Sequence, residues 1–329
     1  TTGSTSRMAE PLDFLSPPPH PDHPINLIAL NAEQIPYAIA EFDPSYFQSR
    51  YNIAVWNWEL PHLPETWLDS TRYLNEIWAP SAFCHEAFSQ RLHLPVVRMP
   101  YAIDIHPDPA ITRHTLNLPP DPFLFLFMFD VLSVPERKNP LGLIHAFLEA
   151  APAFNRPATL VLKMINADKD TPTLRAVRQA AATHPNILLI DRYLTRPQLN
   201  GLFNVVDAYA SLHRSEGFGL TLAESMALAK PVLGTAWSST LDFMTPRNSY
   251  LVDYTLTELD RDYGPYKKGQ VWAEPDLHHA ATLLADIVNH PQEAAARARR
   301  AQADIQTNYS PTVIGQRIRS RLTHILQTT

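Results

Sequence analysis

The sequence predicts an α/β protein built from two doubly wound, parallel-sheet domains. Three observations lead there. The chain has 329 residues, which at ~150 residues per domain is room for about two separate cores. Short apolar runs alternate with helix-like segments along almost its whole length, the pattern of parallel strands joined by helical crossovers. The alternation is broken once, at residues 105–122, where Pro107, Pro109, Pro119, Pro120 and Pro122 fall and neither helix nor strand continues easily. The two domains are therefore set at residues 1–112 and 113–308.

The elements follow in order. Residues 1–24, rich in Pro, Ser and His, read as an extended arm. Strand-like runs lie at 25–30, 51–58, 75–78 and 95–99, with helix-like or loop stretches at 34–41, 64–73 and 82–92. The aromatic run 51–59 fits core stacking, and it also fits a wall that packs on sugar rings. The second domain opens with an unbroken apolar run at 123–129, the signature of a central strand. Helix 140–150 starts on Pro140. Then come strand 159–165, helix 172–183, strand 187–190, helix 196–205 and strand 208–212. Helix 220–229, strands 231–235 and 249–252, and helices 277–290, 292–307 and 311–327 complete the chain.

Composition excludes several classes. Hydrophobic residues make up 45% and charged residues 18%, which fits a globular chain and not a disordered one. The net charge of −6 argues against nucleic acid, whose binding needs clustered Lys and Arg. A single cysteine, Cys84, rules out an intrachain disulfide framework and fits a small buried residue in a reducing compartment. No apolar run approaches the ~20 residues that span a bilayer.

Two stretches carry chemistry. The first, His213-Arg214-Ser215-Glu216-Gly217-Phe218-Gly219-Leu220 and on to Glu224, lies between a strand and a helix, where an open parallel sheet presents its ligands. Gly217 and Gly219 allow close backbone approach, and the first turn of the helix offers N–H groups to an anion. Treated as one helical stretch, Glu216 and Glu224 share a face at most ~12 Å apart. That is too far for a glycosidase pair, but it suits gripping two ends of one long ligand through hydroxyl pairs. A solvated loop residue and a surface helix residue would look the same. The second stretch, Phe129 to Pro140, places Arg137 and Lys138 at a helix start. There they would oppose the macrodipole unless an anion joined them, and they could hold a diphosphate.

Together these residues carry a resemblance. Glu216-Gly217-Phe218-Gly219-Leu220 ending in Glu224, followed by Lys230-Pro231-Val232, resembles the E-x7-E motif of retaining GT-B glycosyltransferases. It is most similar to family 4, the glycosyl transferases group 1 domain. Arg137-Lys138-Asn139-Pro140 occupies the place of that family's diphosphate clamp, and Pro100-Tyr101-Ala102-Ile103-Asp104 resembles the segment before its interdomain linker. The resemblance implies two Rossmann-like domains facing a cleft. The first is acceptor-side and completed by the C-terminal helix 309–329; the second binds a nucleotide sugar. It implies that Glu216 meets the donor sugar, Glu224 the ribose, and the N–H groups of Phe218, Gly219 and Leu220 the distal phosphate. Arg137 and Lys138 would stabilise the leaving diphosphate. Ser133 stands where many members have glycine, and Tyr193 is placed to line the base pocket. It further implies a hexosyltransferase with retention of configuration, no metal and no cofactor, acting on a glycan or lipid-linked acceptor in polysaccharide biosynthesis. The location implied is cytoplasmic, with peripheral contact at the inner face of a membrane as an option.

The chain departs from that pattern in its first domain, which has four strand candidates where the family has about six or seven, and which reads as short or truncated. The family's Gly-rich acceptor loop is not found, and the acceptor-side histidine cannot be placed beyond His62 by elimination. Other chemistries fit less well. Asp168-Lys169-Asp170 has the form of a metal-binding triplet but precedes Pro172, as a helix cap would. No G-x-G-x-x-G is present for a dehydrogenase. His278 and His279 are adjacent on a helix and cannot face one metal. A GT-B nucleotide-sugar 2-epimerase and a catalytically inert GT-B subunit that binds a partner protein remain as alternatives.

Overall fold

The computed structural model describes residues 23–41, 47–168 and 170–328. The arm expected over residues 1–24 therefore lies almost wholly outside the described residues. The chain forms two compact units, one ending at Pro100 and joined by the C-terminal segment from Ile318, the other Tyr101–Arg317. The division falls ahead of the proline-rich segment. That segment belongs to the second unit because it is packed there: Leu116 and Leu118 sit in its core, and Arg113 donates to the Val205 carbonyl and to Asp207 at 2.7 Å.

The first unit holds a parallel sheet of β1 (Ile25–Ile28), β2 (Tyr51–Val55), β3 (Glu76–Ala79) and β4 (Val96–Arg98) in the order β1-β2-β3-β4. Sequential order with right-handed crossovers puts every connection on one face. On that face helices α1 (Ile35–Glu41) and α2 (Ala82–Ser89) and the 3-10 turn Glu65–Tyr73 lie between the strands in sequence. Here the aromatic run finds its place as core. Trp56, Trp58 and Trp67 are buried, with Trp67 meeting the other two edge-on at 5.5 and 5.1 Å. Cys84 is buried and its thiol meets the Trp58 carbonyl. The opposite face is closed by Ile318, Leu322 and Ile325 of the last helix, packed on Ile53, Trp78 and Met99.

That last helix also carries an ion pair into the sheet. Glu76 has no exposed surface. Its carboxylate accepts from Trp78 Nε1 at 2.7 Å, from the Tyr51 hydroxyl at 3.1 Å and from both sides of the Arg321 guanidinium. A buried carboxylate is tolerated when its lone pairs are filled in this way.

The second unit is a six-stranded, all-parallel sheet. Its strands are β5 (Phe123–Asp130), β6 (Ala158–Ile165), β7 (Ile187–Ile190), β8 (Ala208–Ser211), β9 (Val232–Thr235) and β10 (Tyr250–Val252). They run in the order β10-β9-β8-β5-β6-β7. The order reverses between β5 and β8, and such a switch point opens a crevice at the carboxyl ends of the two strands. Around the sheet stand α3 (Pro135–Lys138), α4 (Pro140–Ala150), α5 (Pro172–Thr183), α6 (Arg196–Val205), α7 (Leu220–Ala227), α8 (Leu277–Asn289) and α9 (Pro291–Tyr309); α10 (Pro311–Thr328) follows. One feature has no counterpart in the sequence reading. Strands β11 (Tyr254–Glu258) and β12 (Val271–Pro275) form a separate antiparallel ribbon. No helix among the described residues is long and apolar enough to cross a membrane.

Candidate active site

The loops after β5 and β8 meet at the switch point, and their hydrogen bonds lace them together. Asn139 adopts the left-handed conformation at φ 55°. From there its Oδ1 caps α4 by accepting from Gly142 N at 3.1 Å, while its Nδ2 donates to the Leu212 carbonyl at 3.0 Å. Glycine at 142 leaves room for this cap, since an added Cβ would lie 2.4 Å from the Asn139 amide and push it aside. Two residues before Asn139, Arg137 donates Nη1 to the Ser215 carbonyl at 2.6 Å and Nη2 to the Ser133 carbonyl at 3.3 Å.

This arrangement brings three of the expected residues into contact. Lys138 Nζ lies 2.5 Å from Glu216 Oε1, and Arg137 Nη1 lies 3.4 Å from Glu216 Oε2. Burial alone would raise the Glu216 carboxyl, but Lys138 and Arg137, aided by His213, bring it down to about 2. The carboxylate is therefore ionised at any physiological pH. Its backbone is fixed from the loop after β9: Glu216 N donates to Ser238 Oγ at 2.9 Å, and Ser239 Oγ donates to the Glu216 carbonyl at 2.5 Å. His213 is fully buried between Ser211 and Thr240. Burial holds its imidazole down at about 4, so it is neutral at pH 7.

Two expectations are corrected. Arg137 and Lys138 do not open a helix; they form the last turn of the short α3, and Asn139 separates them from α4. α3 is a single turn, and the dipole of the 11-residue α4, whose N-cap Asn139 directly follows Lys138, still points against the two cations. Glu216 is also not helical. Helix α7 begins at Leu220, so Glu216 and Glu224 do not share a helical face; Glu216 is held by the loop and its two cations. Glu224 stands apart, paired with Arg196 of α6 at 2.8 Å, and burial raises its carboxyl pKa even though Arg196 opposes this.

The glycine turn behaves as the motif suggests. Gly219 is the N-cap of α7 at φ 90°, with no side chain capping the helix, and a Cβ there would lie 2.8 Å from Thr240 Cγ2. Gly217 is buried. Phe218 is an anchor, buried among Tyr101, Phe243 and Tyr309 with ring centroids 5.4, 5.6 and 6.1 Å away. Leu220 is 46% exposed at the start of the helix. Neither of the remaining two residues is buried. Ser133 enters the network through its carbonyl, and Tyr193, on the loop after β7, is 53% exposed. Asp170 of the acidic triplet pairs with Arg175, and Thr171 caps α5 by accepting from Leu174 N.

Sequence reasoning missed Asn139, the buried His213, the serine pair as backbone clamps, Arg196 as partner of Glu224, and Arg214. The signal for Asn139 was present: a polar residue directly before a proline-started helix is a cap. The others depend on contacts far apart in sequence.

No protein-family model matches the chain, and no curated protein matches it in sequence. Solved structures do match. Sucrose-phosphate synthase from Thermosynechococcus elongatus superposes with a TM-score of 0.66 at 15% identity, over 93% of this chain and 75% of that one. HepE from Anabaena, solved in complex with UDP and glucose, gives 0.68 at 17% identity over 92% and 78%. A glycosyltransferase from Rickettsia africae ESF-5 gives 0.70 at 12% identity over 93% and 77%. At such identities the likeness establishes the architecture: the chain has the α/β fold of the GT-B glycosyltransferases, with a parallel, Rossmann-like sheet in each unit.

Proposed function

We propose that the chain is a retaining glycosyltransferase of family 4, moving a hexosyl group from a nucleotide-sugar donor to a glycan or lipid-linked acceptor. One observation carries the reading most: two cations, Lys138 and Arg137, converge on the buried carboxylate Glu216 at the switch point, three residues before the glycine cap of α7. The cluster has one more positive charge than negative, and a helix N-terminus adds to it. An anion is favoured there.

In this reading the donor diphosphate lies over the first turn of α7 and receives the N–H groups of Phe218, Gly219 and Leu220. Lys138, with its side chain 19% exposed, reaches the phosphate; Arg137, at 3%, acts through its charge from beneath. As the bond from the anomeric carbon to the diphosphate breaks, negative charge grows on the leaving oxygen. Preorganised cations and backbone dipoles stabilise it without a metal. Glu216, kept ionised, accepts hydrogen bonds from the donor sugar. Glu224, held by Arg196, takes the ribose diol. Ser133 lies beside the phosphates and Tyr193 beside the base. HepE is solved with UDP and glucose and the pneumococcal O-GlcNAc transferase GtfA with UDP and GlcNAc, so a UDP-sugar is the first donor to test. A role in polysaccharide biosynthesis, from the cytoplasm or the inner membrane face, follows from such an acceptor.

The test is calorimetric titration with UDP-, GDP- and ADP-sugars, followed by product analysis with and without a saccharide acceptor. A new glycoside of retained configuration is expected. Binding of none of the three overturns the reading in favour of an inert subunit, and a sugar-nucleotide isomer formed without acceptor replaces it with an epimerase.

A further inference from the structure

The ribbon β11–β12 belongs to neither parallel sheet, yet one residue ties it by hydrogen bonds to the centre of the site. Arg214 lies two positions before Glu216. Its N–H donates to the Arg137 carbonyl at 2.8 Å, and its Nη1 donates to the Glu136 carbonyl at 2.5 Å. Nε and Nη2 meet both oxygens of Glu274 on β12 at 2.6 and 2.8 Å. Its carbonyl accepts from Ala273 N at 2.9 Å, and its guanidinium lies 5.3 Å from the Trp272 ring centroid. A single side chain thus spans the loop that carries Arg137 and Lys138, the loop that carries Glu216, and the ribbon.

The tip of the ribbon grips the first of these loops again. Tyr266 is 3% exposed, with its ring 5.9 Å from the Arg137 guanidinium carbon. Gly264, at φ +59°, sits so close to Val134 that an added Cβ would be 3.1 Å from Val134 Cγ2. Val134 itself is held at φ 58°, a conformation that a β-branched residue adopts only when its surroundings impose it. The Val134 carbonyl in turn accepts from Arg137 N and Lys138 N.

We propose that Arg214 is a positioning residue, and that its bidentate pair with Glu274 uses the β11–β12 ribbon to fix Arg137 and Lys138 against Glu216. Lysine cannot take its place, since only the planar guanidinium fork meets a carboxylate at two points and a carbonyl at a third. The proposal rests on the donor reading for its kinetic arm only.

The experiment uses the full chain with Arg214→Lys and Glu274→Gln. In ligand-free protein labelled with 13C at the glutamate carboxyl, the Glu216 resonance, assigned with Glu216→Gln, is followed from pH 8 down to about 3.5. Loosened cations should move its titration upward by about one pH unit or more in both variants. Glu274→Gln also removes a nearby anion, whose direct effect is downward, so a rise there separates repositioning from a simple charge change. With a UDP-sugar donor, kcat should fall at least about tenfold while KM stays within about threefold. A Glu216 titration unmoved in both variants overturns the proposal, and so does an unchanged kcat in a chain that turns the donor over. If the titration moves but the wild-type chain turns over no nucleotide sugar, the positioning role stands and the donor reading falls.

Discussion

Replacing Lys138 by Met removes the ammonium 2.5 Å from Glu216 Oε1 while keeping an unbranched stem in place. The magnitude can be worked from the carboxyl. Glu216 sits at about 2 against an ordinary 4.5, and each tenfold in proton affinity is ~1.4 kcal/mol, so the folded site favours the carboxylate by roughly 3 kcal/mol. Arg137 remains at 3.4 Å and keeps part of this, so the variant should lose about 2 kcal/mol at neutral pH, below the ~3–5 that breaking a lone buried pair costs. Because the folded-state carboxyl lies below 4.5, this contribution is complete above about pH 4.5 and is lost as pH falls through about 2. The gap between wild type and variant is therefore widest at neutral pH and closes in acid. Native-state amide exchange in β5 and β6 reports opening of the second unit and should be compared at pH 7 and at about pH 2.5, inside the window where the contribution is being lost. Donor turnover is the second readout, with kcat expected to fall roughly 100-fold, as for other single groups that meet transition-state charge. If stability falls as calculated and kcat/KM stays within about threefold, Lys138 is only a counter-ion to Glu216, and the proposed mechanism is refuted at its centre.

Three other outcomes are expected. Gly219→Ala forces a Cβ into Thr240 at a left-handed position and should cost roughly 1–3 kcal/mol; thermal unfolding measures that loss, and calorimetry with UDP should show weaker binding. Glu224→Gln removes a charged acceptor from the proposed ribose site and should weaken UDP about tenfold with kcat nearly unchanged, whereas a matching fall in kcat would move Glu224 to the reacting end. Arg321→Ala strands the buried Glu76 and should destabilise the first unit by about 3–5 kcal/mol, read by urea unfolding through the fluorescence of Trp56, Trp58, Trp67 and Trp78; a loss below about 1 kcal/mol would place Glu76 in a wetter setting than its burial indicates.

What the sequence revealed depended on how local each cause was. Strand β5 was legible because both of its faces are buried, which leaves an unbroken apolar run. Strand β11 was not, because four of its five residues are exposed and no alternation survives; with it went the ribbon and the role of Glu274. The turns carrying Arg137-Lys138 and Glu216-Gly217-Phe218-Gly219 were legible as turns, since an apolar strand and a helix start lie within about a dozen residues of one another, with proline marking the first turn and glycine the second. Their meeting was not, because it depends on β8 pairing beside β5 across a long insertion of β6 and β7. The pairing of Glu224 with Arg196 was hidden for the same reason. The left-handed Asn139 misled the reading of Arg137 and Lys138, since it ends one helix and caps the next. In the first unit the four strands were legible from their apolar runs, while the sequential order that leaves one face to α10 was not.

Two buried carboxylates in this chain invite comparison, because burial and an arginine partner alone do not mark a functional group. Glu76 lies on β3 beneath α10 and meets one cation, Arg321, with Trp78 and Tyr51 filling its other lone pairs. The cluster is electrically neutral and needs nothing more. Its directional bonds fix which turn of α10 lies on the sheet, a choice that Ile318, Leu322 and Ile325 could make only loosely by apolar contact. Glu216 lies past the end of β8 and meets two cations, so its cluster has a net positive charge. That excess sits at the switch point beside a helix cap that has no side chain of its own. A neutral pair between a strand and a helix stabilises a fold; a cluster with net positive charge at the carboxyl ends of parallel strands favours an anionic ligand. The same residue types thus serve structure in one unit and, in the reading proposed, chemistry in the other, and the distinction lies in the count of charges and the position along the strand.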